Sequence, residues 1–375
     1  LLDEIPINPE YSTYKRYNAS QLTSRTTPPK CVQMLVRDFI DDSLYNPNYG
    51  YFSKQAIIFS SEKEFEFNKI KDNLEFMNLV AKMYKEHEVP LDVTNKASRQ
   101  PWYGYAIAKY VVTEYKLSGY PSHDLIIYEL GAGNATLMPE LQLQSQNVQN
   151  NKNVHDCVEV INKSIFDWNE LVADPCYIFA FEDNFAHDLV RYDYVAEKPY
   201  QAIVVIDDKG EFEEIYEPVN DPLITRYLTL RSRTLYKTPV LQNRFFRKLR
   251  NKLPFSPNMT SPEFIPTKEL LFLEILKDYF PQHRLIISDF YKLPDTIRGI
   301  DAPVVQTRYE DTMVPCSTFM VSPGWFDIFF PTNFELLRDI YLLVCHSGKA
   351  KENIRILTQH DFLKRYADLE RTKTR

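Results

Sequence analysis

A segment with two glycines supplies the residue types that could hold a cofactor. It lies at the end of the apolar run 124–130 (DLIIYEL), where residues 131–137 read GAGNATL. Without side chains on such a turn, a ligand can lie directly against the backbone, and a following helix would offer free N–H groups. The candidate cofactor-binding residues of this turn are Glu129, Gly131, Gly133 and Asn134.

The carboxylate before the turn indicates which cofactor would fit. Thr136 takes the third position, so the pattern is GxGxxT, which by itself is weak evidence for a dinucleotide. Glu129 would repel a pyrophosphate, but its charge suits the sulfonium cation of S-adenosylmethionine. The sequence therefore favours S-adenosylmethionine over a nicotinamide cofactor, and a tight packing turn without a ligand is the alternative.

An aspartate after the apolar run 157–161 is a further candidate for cofactor binding. Asp167 stands in the segment SIFDW, between Phe166 and Trp168. Its carboxylate could accept a hydrogen bond from an adenine amino group while one of the aromatic rings stacks on the base. An exposed loop aspartate without a ligand is an equally good interpretation.

Two adjacent carboxylates follow the next apolar run, residues 177–181. Glu182 and Asp183 are the candidate catalytic residues, because a pair of carboxylates can clamp the rigid fork of a guanidinium. Asp183 or Asn184 could equally cap a helix. The sequence thus predicts a site that holds a cationic cofactor and a cationic acceptor, and no metal is needed for it.

The elements that would position these residues are short apolar strands between helical stretches. Strands are predicted at 124–130, 157–161, 177–181, 202–206 and 284–288. Helical periodicity covers 32–40, 64–87 and 105–115. This alternation indicates a Rossmann-like α/β fold with a mostly parallel sheet, in which ligands bind at the carboxyl ends of the strands.

Composition limits the classes of protein that the chain can represent. A hydrophobic fraction of 44% over 375 residues allows a substantial core. The net charge of −7 argues against attraction to nucleic acid along the whole chain. Five scattered cysteines without a CxxC pair predict neither a zinc site nor a disulfide framework. No apolar run reaches the length of a membrane span.

One local stretch departs from this acidic balance. Residues 226–252 contain nine Arg or Lys residues and no Asp or Glu, with Tyr and Phe interleaved. Such a stretch could contact RNA phosphates and bases or an acidic protein surface. A solvated helix face whose aromatic side chains pack inward is the more common explanation.

Five segments, taken in order, resemble the MidA-like proteins. They are 45–52 (YNPNYGYF), similar to NPxxGYY; 129–137, similar to ELGPGxGTL; 181–187 (FEDNFAH), similar to NEFFDALP; 285–290 (LIISDF), at the place of a strand ending in Asp-Tyr-Gly; and 318–335, at the place of a DxT.H.DF segment. The likeness extends from about residue 30 to 345 and is greatest to fungal members.

The resemblance implies an S-adenosylmethionine-dependent methyltransferase fold, with an extended arm at 1–30 and one domain at 31–375 that carries an insert at about 190–280. It further implies a protein arginine as methyl acceptor, location in the mitochondrial matrix, and a role in the assembly of respiratory complex I. Glu129, Gly131 and Gly133 then take the cofactor role, while Glu182 and Asp183 fall at the acidic positions of NEFFDALP.

The chain departs from this family after the glycine turn. Where the family continues through a helix and a second strand, Pro139-Glu140-Leu141 follows at once, which leaves about two dozen residues missing. The carboxylate that would hold the cofactor ribose is among them. The departure supports an alternative function, in which a degenerate methyltransferase fold binds a mitochondrial protein or ribosomal RNA. Omission of this helix and strand from the sequence is favoured over their deletion from the protein, because loss of a central strand would damage the core.

Overall fold

The computed structural model describes residues 9–54, 69–86, 102–118, 123–131, 161, 163–181, 185–194, 196–238, 259–293, 302–309, 312–346 and 354–372, and the structural statements below concern these residues. The helices are α1 (Val36–Tyr45), α2 (Tyr51–Lys54), α3 (Asn73–Glu86), α4 (Trp102–Ser118), α5 (Pro222–Arg231), α6 (Thr267–Tyr279), α7 (Phe334–Cys345), α8 (Gln359–Tyr366) and α9 (Leu369–Thr372). The strands are β1 (Lys15–Arg16), β2 (Val32–Leu35), β3 (Ile126–Leu130), β4 (Cys176–Phe181), β5 (Asp188–Tyr192), β6 (Pro199–Ile206), β7 (Phe212–Pro218), β8 (Glu263–Ile265), β9 (His283–Ser288), β10 (Val304–Tyr309), β11 (Thr312–Cys316) and β12 (Asp327–Phe329).

The chain divides into two compact units. The first unit consists of residues 1–55, 184–274 and 289–352. The second unit consists of residues 56–183, 275–288 and 353–375. The insert predicted at about 190–280 therefore falls mainly in the first unit, and the glycine turn belongs to the second.

The second unit is built on a parallel sheet with the order β3-β4-β9. Helix α4 covers one face of this sheet, and small side chains let it approach closely, since Ala106 and Ala108 are fully buried. The cluster between helix and sheet consists of Ile107, Ala108, Val111, Tyr115, Tyr177 and Phe179. Burial on both faces explains why β4 reads as a continuous apolar run (CYIFAF) rather than an alternating one.

The first unit contains a larger sheet of mainly antiparallel strands. Its order is β1-β2-β6-β5-β8, and β7 also pairs with β6. Only β1 and β2 run parallel, and every other described pair is antiparallel. The predicted strand 202–206 is therefore present as the buried half of β6, but it belongs to this antiparallel sheet. A separate antiparallel sheet has the order β11-β10-β12.

A buried ion network ties α1 to two other elements of the first unit. The Arg37 guanidinium donates to Asp188 Oδ2 on β5 at 2.6 Å and to both carboxylate oxygens of Asp221 at 2.9 and 2.7 Å. Asp221 also caps α5 by accepting the backbone N–H groups of Leu223 and Ile224. Removal of one partner would leave an uncompensated charge inside the protein, so this network couples the positions of α1, α5 and β5.

The predicted α/β class is confirmed, and the parallel sheet contains three of the five predicted strands. The helix predicted over 32–40 is partly wrong, because Val32–Leu35 form β2 and the helix runs from Val36 to Tyr45. The apolar residues of 32–36 fit either period, and pairing with β6 decided for a strand. The strand predicted at 157–161 lies outside the described residues.

Candidate functional site

The predicted cofactor turn begins where β3 ends. Gly131 follows Leu130 and adopts a φ of 55°, in the left-handed region that favours glycine. Because β3 and β4 are parallel and Leu130 pairs with Ala180, both strands end at the same edge of the sheet. Ligands of open α/β sheets bind at this kind of edge. The described part of the turn therefore lies at the edge where such sheets bind ligands, and its cofactor role stays a prediction.

Glu129 points to the face of the sheet that α4 covers. It pairs in register with Phe179, whose side chain packs against α4. The first turn of α4 reaches the carboxyl end of the sheet, because the Tyr103 hydroxyl donates to Ser288 Oγ at 3.1 Å. The positive partial charge of a helix N-terminus near this end is compatible with a carboxylate on the same face.

Asp167 lies in the segment between β3 and β4. It belongs to a short 3-10 helix, Ile165–Asp167, and its side chain is exposed. The adjacent Trp168 ring contacts Tyr128 at 5.8 Å between centroids. Successive side chains of a strand point to opposite faces, so Tyr128 and Glu129 do too. The Trp168 ring therefore lies on the face of β3 opposite to Glu129, and the cofactor role of Asp167 stays a prediction.

The Trp168 ring is already engaged by protein on one side. It packs against Phe280 at 5.2 Å as well as against Tyr128, and its indole N–H donates to the Glu170 carbonyl at 2.7 Å. The Lys163 ammonium lies 5.7 Å from the ring centroid. These neighbours cover part of the Trp168 ring, so adenine could stack only on the part of the ring that remains accessible. Phe166, which is half-buried, is the other ring that could stack on adenine.

Four of the predicted site residues lie outside the described part of the chain. They are the two cofactor candidates Gly133 and Asn134 and the two catalytic candidates Glu182 and Asp183. Strand β4 ends at Phe181, immediately before the acidic pair. The roles of all four residues stay predictions. Gly133 and Asn134 are supported only by their position after β3, and Glu182 and Asp183 only by their position after β4, which ends beside β3.

An acidic pair that the sequence did not single out lies in the first unit. Glu269, in the first turn of α6, is partly exposed, yet the surrounding protein and the charge of Asp289 raise the pKa of its carboxyl to about 8. Asp289 accepts hydrogen bonds from the Thr332 hydroxyl and from the Phe290 backbone N–H. Asp289 directly follows β9, which coincides with the predicted strand 284–288. This position after a strand could have marked Asp289 as a candidate site residue.

In the described part of the basic stretch, Arg226 and Arg231 pair with carboxylates of the first unit, and Arg233 and Lys237 are exposed. Arg231 is buried, donates to Glu263 Oε1 at 2.9 Å and to the Tyr192 hydroxyl at 2.5 Å, and lies over the ring of Tyr227. Arg226 pairs with Glu274 at 2.5 Å. Two of the nine basic residues therefore serve packing of the first unit, and residues 239–252 lie outside the described part.

None of the described helices is both long enough and apolar enough to cross a membrane. Four cysteines of the described chain are free thiols: Cys31, Cys176, Cys316 and Cys345.

Comparison with known proteins identifies a family. A family model described as "Putative S-adenosyl-L-methionine-dependent methyltransferase" matches residues 139–348. A curated relative, "Protein arginine methyltransferase NDUFAF7 homolog, mitochondrial" from Schizosaccharomyces pombe, is 20% identical over 365 residues, which cover 83% of this chain and 75% of that protein.

Two solved structures from Burkholderia thailandensis also match. One is a "likely methyl transferase" bound to S-adenosyl-homocysteine, with a TM-score of 0.46, 12% identity, and coverage of 87% of this chain and 74% of the other. The second is a native crystal structure of an uncharacterized protein of the same superfamily, with a TM-score of 0.45 and the same identity and coverage.

Proposed function

The chain belongs to the family of S-adenosyl-L-methionine-dependent methyltransferases whose model matches residues 139–348, and from this membership we propose that it methylates protein arginine in mitochondria and supports assembly of a respiratory complex. The cofactor follows from the family. The acceptor and the address are supported by the fungal relative, which is named a mitochondrial protein arginine methyltransferase homolog. On this proposal the protein substrate is a respiratory complex I subunit and the compartment is the matrix.

The observation that carries the proposal is the parallel sheet of the second unit. Strands β3 and β4 end at one edge, with Gly131 in the left-handed conformation after β3 and the acidic pair next in the chain after β4. This edge is where an open α/β sheet presents its ligands. A cofactor at the first strand and an acceptor at the second would lie side by side.

S-adenosylmethionine held at this edge would supply an electrophilic methyl group for a guanidinium nitrogen, with S-adenosylhomocysteine as the leaving group. In the proposed reaction Glu182 or Asp183 orients the guanidinium through charge-assisted hydrogen bonds. The same carboxylate accepts the proton that the nitrogen loses. Glu129, Gly131, Gly133 and Asn134 hold the cofactor, and Asp167 binds its adenine amino group.

A second candidate function is a binding module that keeps the fold without the activity. The family match begins at Pro139, after the glycine turn, where the chain also departs from the MidA-like pattern. On this alternative the partner is a mitochondrial protein or ribosomal RNA. The two functions differ in one measurable property, which is binding of the cofactor.

Calorimetric titration of the full-length protein with S-adenosylmethionine and S-adenosylhomocysteine tests the proposal. We expect micromolar binding that is lost in Gly133→Arg, because a side chain would fill the space beside the turn. Gly210→Arg is the matched control, since Gly210 lies in the β6–β7 hairpin of the first unit with only the Lys30 side chain nearby, at 3.5 Å. Circular dichroism establishes that both variants fold.

Transfer of a labelled methyl group to arginine peptides then separates the two functions. Incorporation that falls in Glu182→Gln and Asp183→Asn, with cofactor binding retained, would establish the enzyme. Absence of cofactor binding at millimolar concentration in a folded protein would exclude the enzyme and favour the binding module.

A further inference from the structure

Strand β7 lies at an edge of the larger sheet of the first unit. In the described part of the chain it pairs with β6 alone, and β2 and β5 occupy the other side of β6. The two other edges of this sheet are short, since β1 has two residues and β8 has three. Strand β7 has seven residues and a continuous register against β6, without a bulge. Natural proteins usually shorten or bulge such an edge, because it can pair with a further strand.

The hydrogen bonds at the two ends of β7 show which of its backbone groups point outward. The Asp207 N–H donates to the Glu211 carbonyl at 3.1 Å, and the Val219 N–H donates to the Pro199 carbonyl at 3.3 Å. Hydrogen-bonded pairs alternate along an antiparallel ladder, so the odd-numbered residues of this strand bond to β6. The backbone N–H and C=O groups that point away from β6 are therefore those of Phe212, Glu214 and Tyr216. No described segment pairs with them.

Three carboxylates at this edge have no basic partner among the described residues. Glu211 and Glu213 are exposed, and Glu214 is half-buried. Glu213 accepts a hydrogen bond from the Tyr11 hydroxyl at 2.6 Å, and Glu214 accepts one from the Tyr216 hydroxyl. A hydroxyl carries no charge, so neither contact neutralises a carboxylate. The edge therefore favours a cationic occupant.

The basic side chains near β7 leave these three carboxylates available. Arg16 forms a bidentate pair with Glu217, at 2.8 and 3.0 Å. Arg191 lies over the Tyr216 ring, 4.7 Å from its centroid, and forms no ion pair with a described carboxylate of the strand. The Lys30 ammonium donates to a backbone carbonyl of the β6–β7 turn at 3.0 Å. An incoming basic segment would therefore not have to displace an existing ion pair from the three carboxylates.

The positions of two of the carboxylates define what kind of segment fits. Successive side chains of a strand point to opposite faces, so Glu213 and Glu214 lie on the two faces of the sheet at adjacent positions. A strand added beside β7 would place the side chains of two consecutive residues next to them. Opposite charges in such cross-strand pairs are stabilising, and like charges are destabilising. The edge thus selects a segment with two consecutive basic residues and disfavours acidic ones.

We propose that β7 binds an extended basic segment of the protein substrate as an added β-strand, with two consecutive Arg or Lys residues beside Glu213 and Glu214. Backbone hydrogen bonds to the outward groups of β7 supply affinity for an extended chain, and the carboxylates supply selectivity for a basic one. This inference rests on the proposed function, because that function makes an arginine-bearing protein the substrate. It adds a recognition strand in the first unit to the cofactor turn in the second.

Binding of labelled peptides to the full-length protein, followed by fluorescence anisotropy, tests the inference. The basic peptide is acetyl-TVTRKTVT-amide, and the acidic peptide carries Glu-Asp in place of Arg-Lys. We expect the basic peptide to bind and the acidic peptide to remain free at the same concentration, because like charges oppose each other across a strand pair.

Two N-methylated forms of the basic peptide distinguish strand pairing from attraction between charges. One form carries N-methyl groups at its odd positions and the other at its even positions. Only alternate residues of an added strand donate N–H groups to the neighbouring strand. We expect one form to bind at least about tenfold more weakly, because it loses several hydrogen bonds, and the other to bind almost as the parent peptide does. Equal binding of the parent and both forms would overturn the inference.

Variants of the two glutamates locate the binding on β7. Glu213→Gln and Glu214→Gln each remove one charge and should weaken the basic peptide about two- to fivefold, the size of a cross-strand charge pair. Glu214→Pro also removes an outward N–H and spares the ladder with β6, so it should weaken binding about two- to tenfold more than Glu214→Gln does. Glu335→Gln is the matched control and should bind as the wild type does, since Glu335 is an exposed carboxylate of the same unit in helix α7. Circular dichroism establishes that the variants fold.

The outcomes separate this inference from the proposed function. Binding of the basic peptide that depends on β7, without any methyl transfer, would support the recognition strand and reject the enzyme. Methyl transfer to the basic peptide that is equally efficient in Glu213→Gln and Glu214→Pro would reject the recognition strand and support the enzyme. Equal binding of the basic and acidic peptides, or no binding of the basic peptide at millimolar concentration, would each overturn the inference.

Discussion

Gly324 constrains the backbone of the first unit, because its main chain lies against the turn between α1 and α2. We expect Gly324→Ala to lower the free energy of unfolding by at least about 3 kcal/mol, because the new Cβ would overlap the Tyr49 carbonyl and the φ of +84° would strain any other residue. Urea unfolding measures this change.

Gly210→Ala serves as its control, since Gly210 has a similar φ of +93° but a Cβ there would make only an ordinary contact with the Lys30 side chain, at 3.5 Å. Strain alone should cost this variant about 1 kcal/mol. Equal destabilisation of the two variants would contradict a steric role for Gly324.

Glu269 should make stability depend on pH. Burial and the Asp289 charge raise its pKa to about 8, well above its unfolded value of about 4.3. A carboxyl with a raised pKa contributes stability that is fully present below its unfolded pKa and is lost as pH rises through its folded pKa. The contribution of Glu269 to the free energy of unfolding should therefore decrease between about pH 4 and pH 8.

Denaturant unfolding of the wild type and of Glu269→Gln across this range measures that contribution. The variant stays neutral at every pH, so the difference between the two proteins should grow in favour of the variant as the pH rises from about 4 to about 8. A pH-independent difference would show that Glu269 has an ordinary pKa.

At the scale of elements, the ion network of Arg37 should stabilise the first unit strongly. Arg37→Ala leaves Asp188 buried without its guanidinium and frees the N-cap residue of α5. Breaking a buried pair in this way costs about 3–5 kcal/mol. Thermal and urea unfolding measure the loss.

The exposed pair Arg16–Glu217 is the control for this prediction, at 2.8 Å with side chains that are 39% and 28% exposed. Arg16→Ala should change the free energy of unfolding by less than about 1 kcal/mol, because water screens the pair. Similar losses in Arg16→Ala and Arg37→Ala would mean that burial does not govern these ion pairs.

At the scale of the whole molecule, charge argues against the alternative of an RNA-binding module. The net charge is −7, and two of the four basic residues described in the stretch, Arg226 and Arg231, pair with Glu274 and Glu263. We expect binding to single-stranded RNA to be absent at about 150 mM salt, where exposed charges are screened beyond roughly 8 Å. Filter binding over a salt series measures it, and micromolar binding at that salt would revive the alternative.

The sequence by itself predicted the parallel sheet, while binding of a ligand at the carboxyl ends of its strands stays a prediction. Continuous apolar runs such as 177–181 signal strands buried on both faces, and a glycine after 124–130 signals a tight turn. These signals depend on neighbours in the chain, so they are legible without coordinates. The family resemblance added the cofactor, which the family match supports.

The tertiary structure alone decided where side chains meet. Residues 32–35 fit a helix and a strand equally, and only pairing with β6 made them β2. The buried partners of Arg37 lie 151 and 184 residues away, and Gly324 lies against the Tyr49 carbonyl of the α1–α2 turn although the two residues are distant in the chain. Such contacts leave no periodic trace in a single sequence, because they depend on how distant elements pack and not on local spacing.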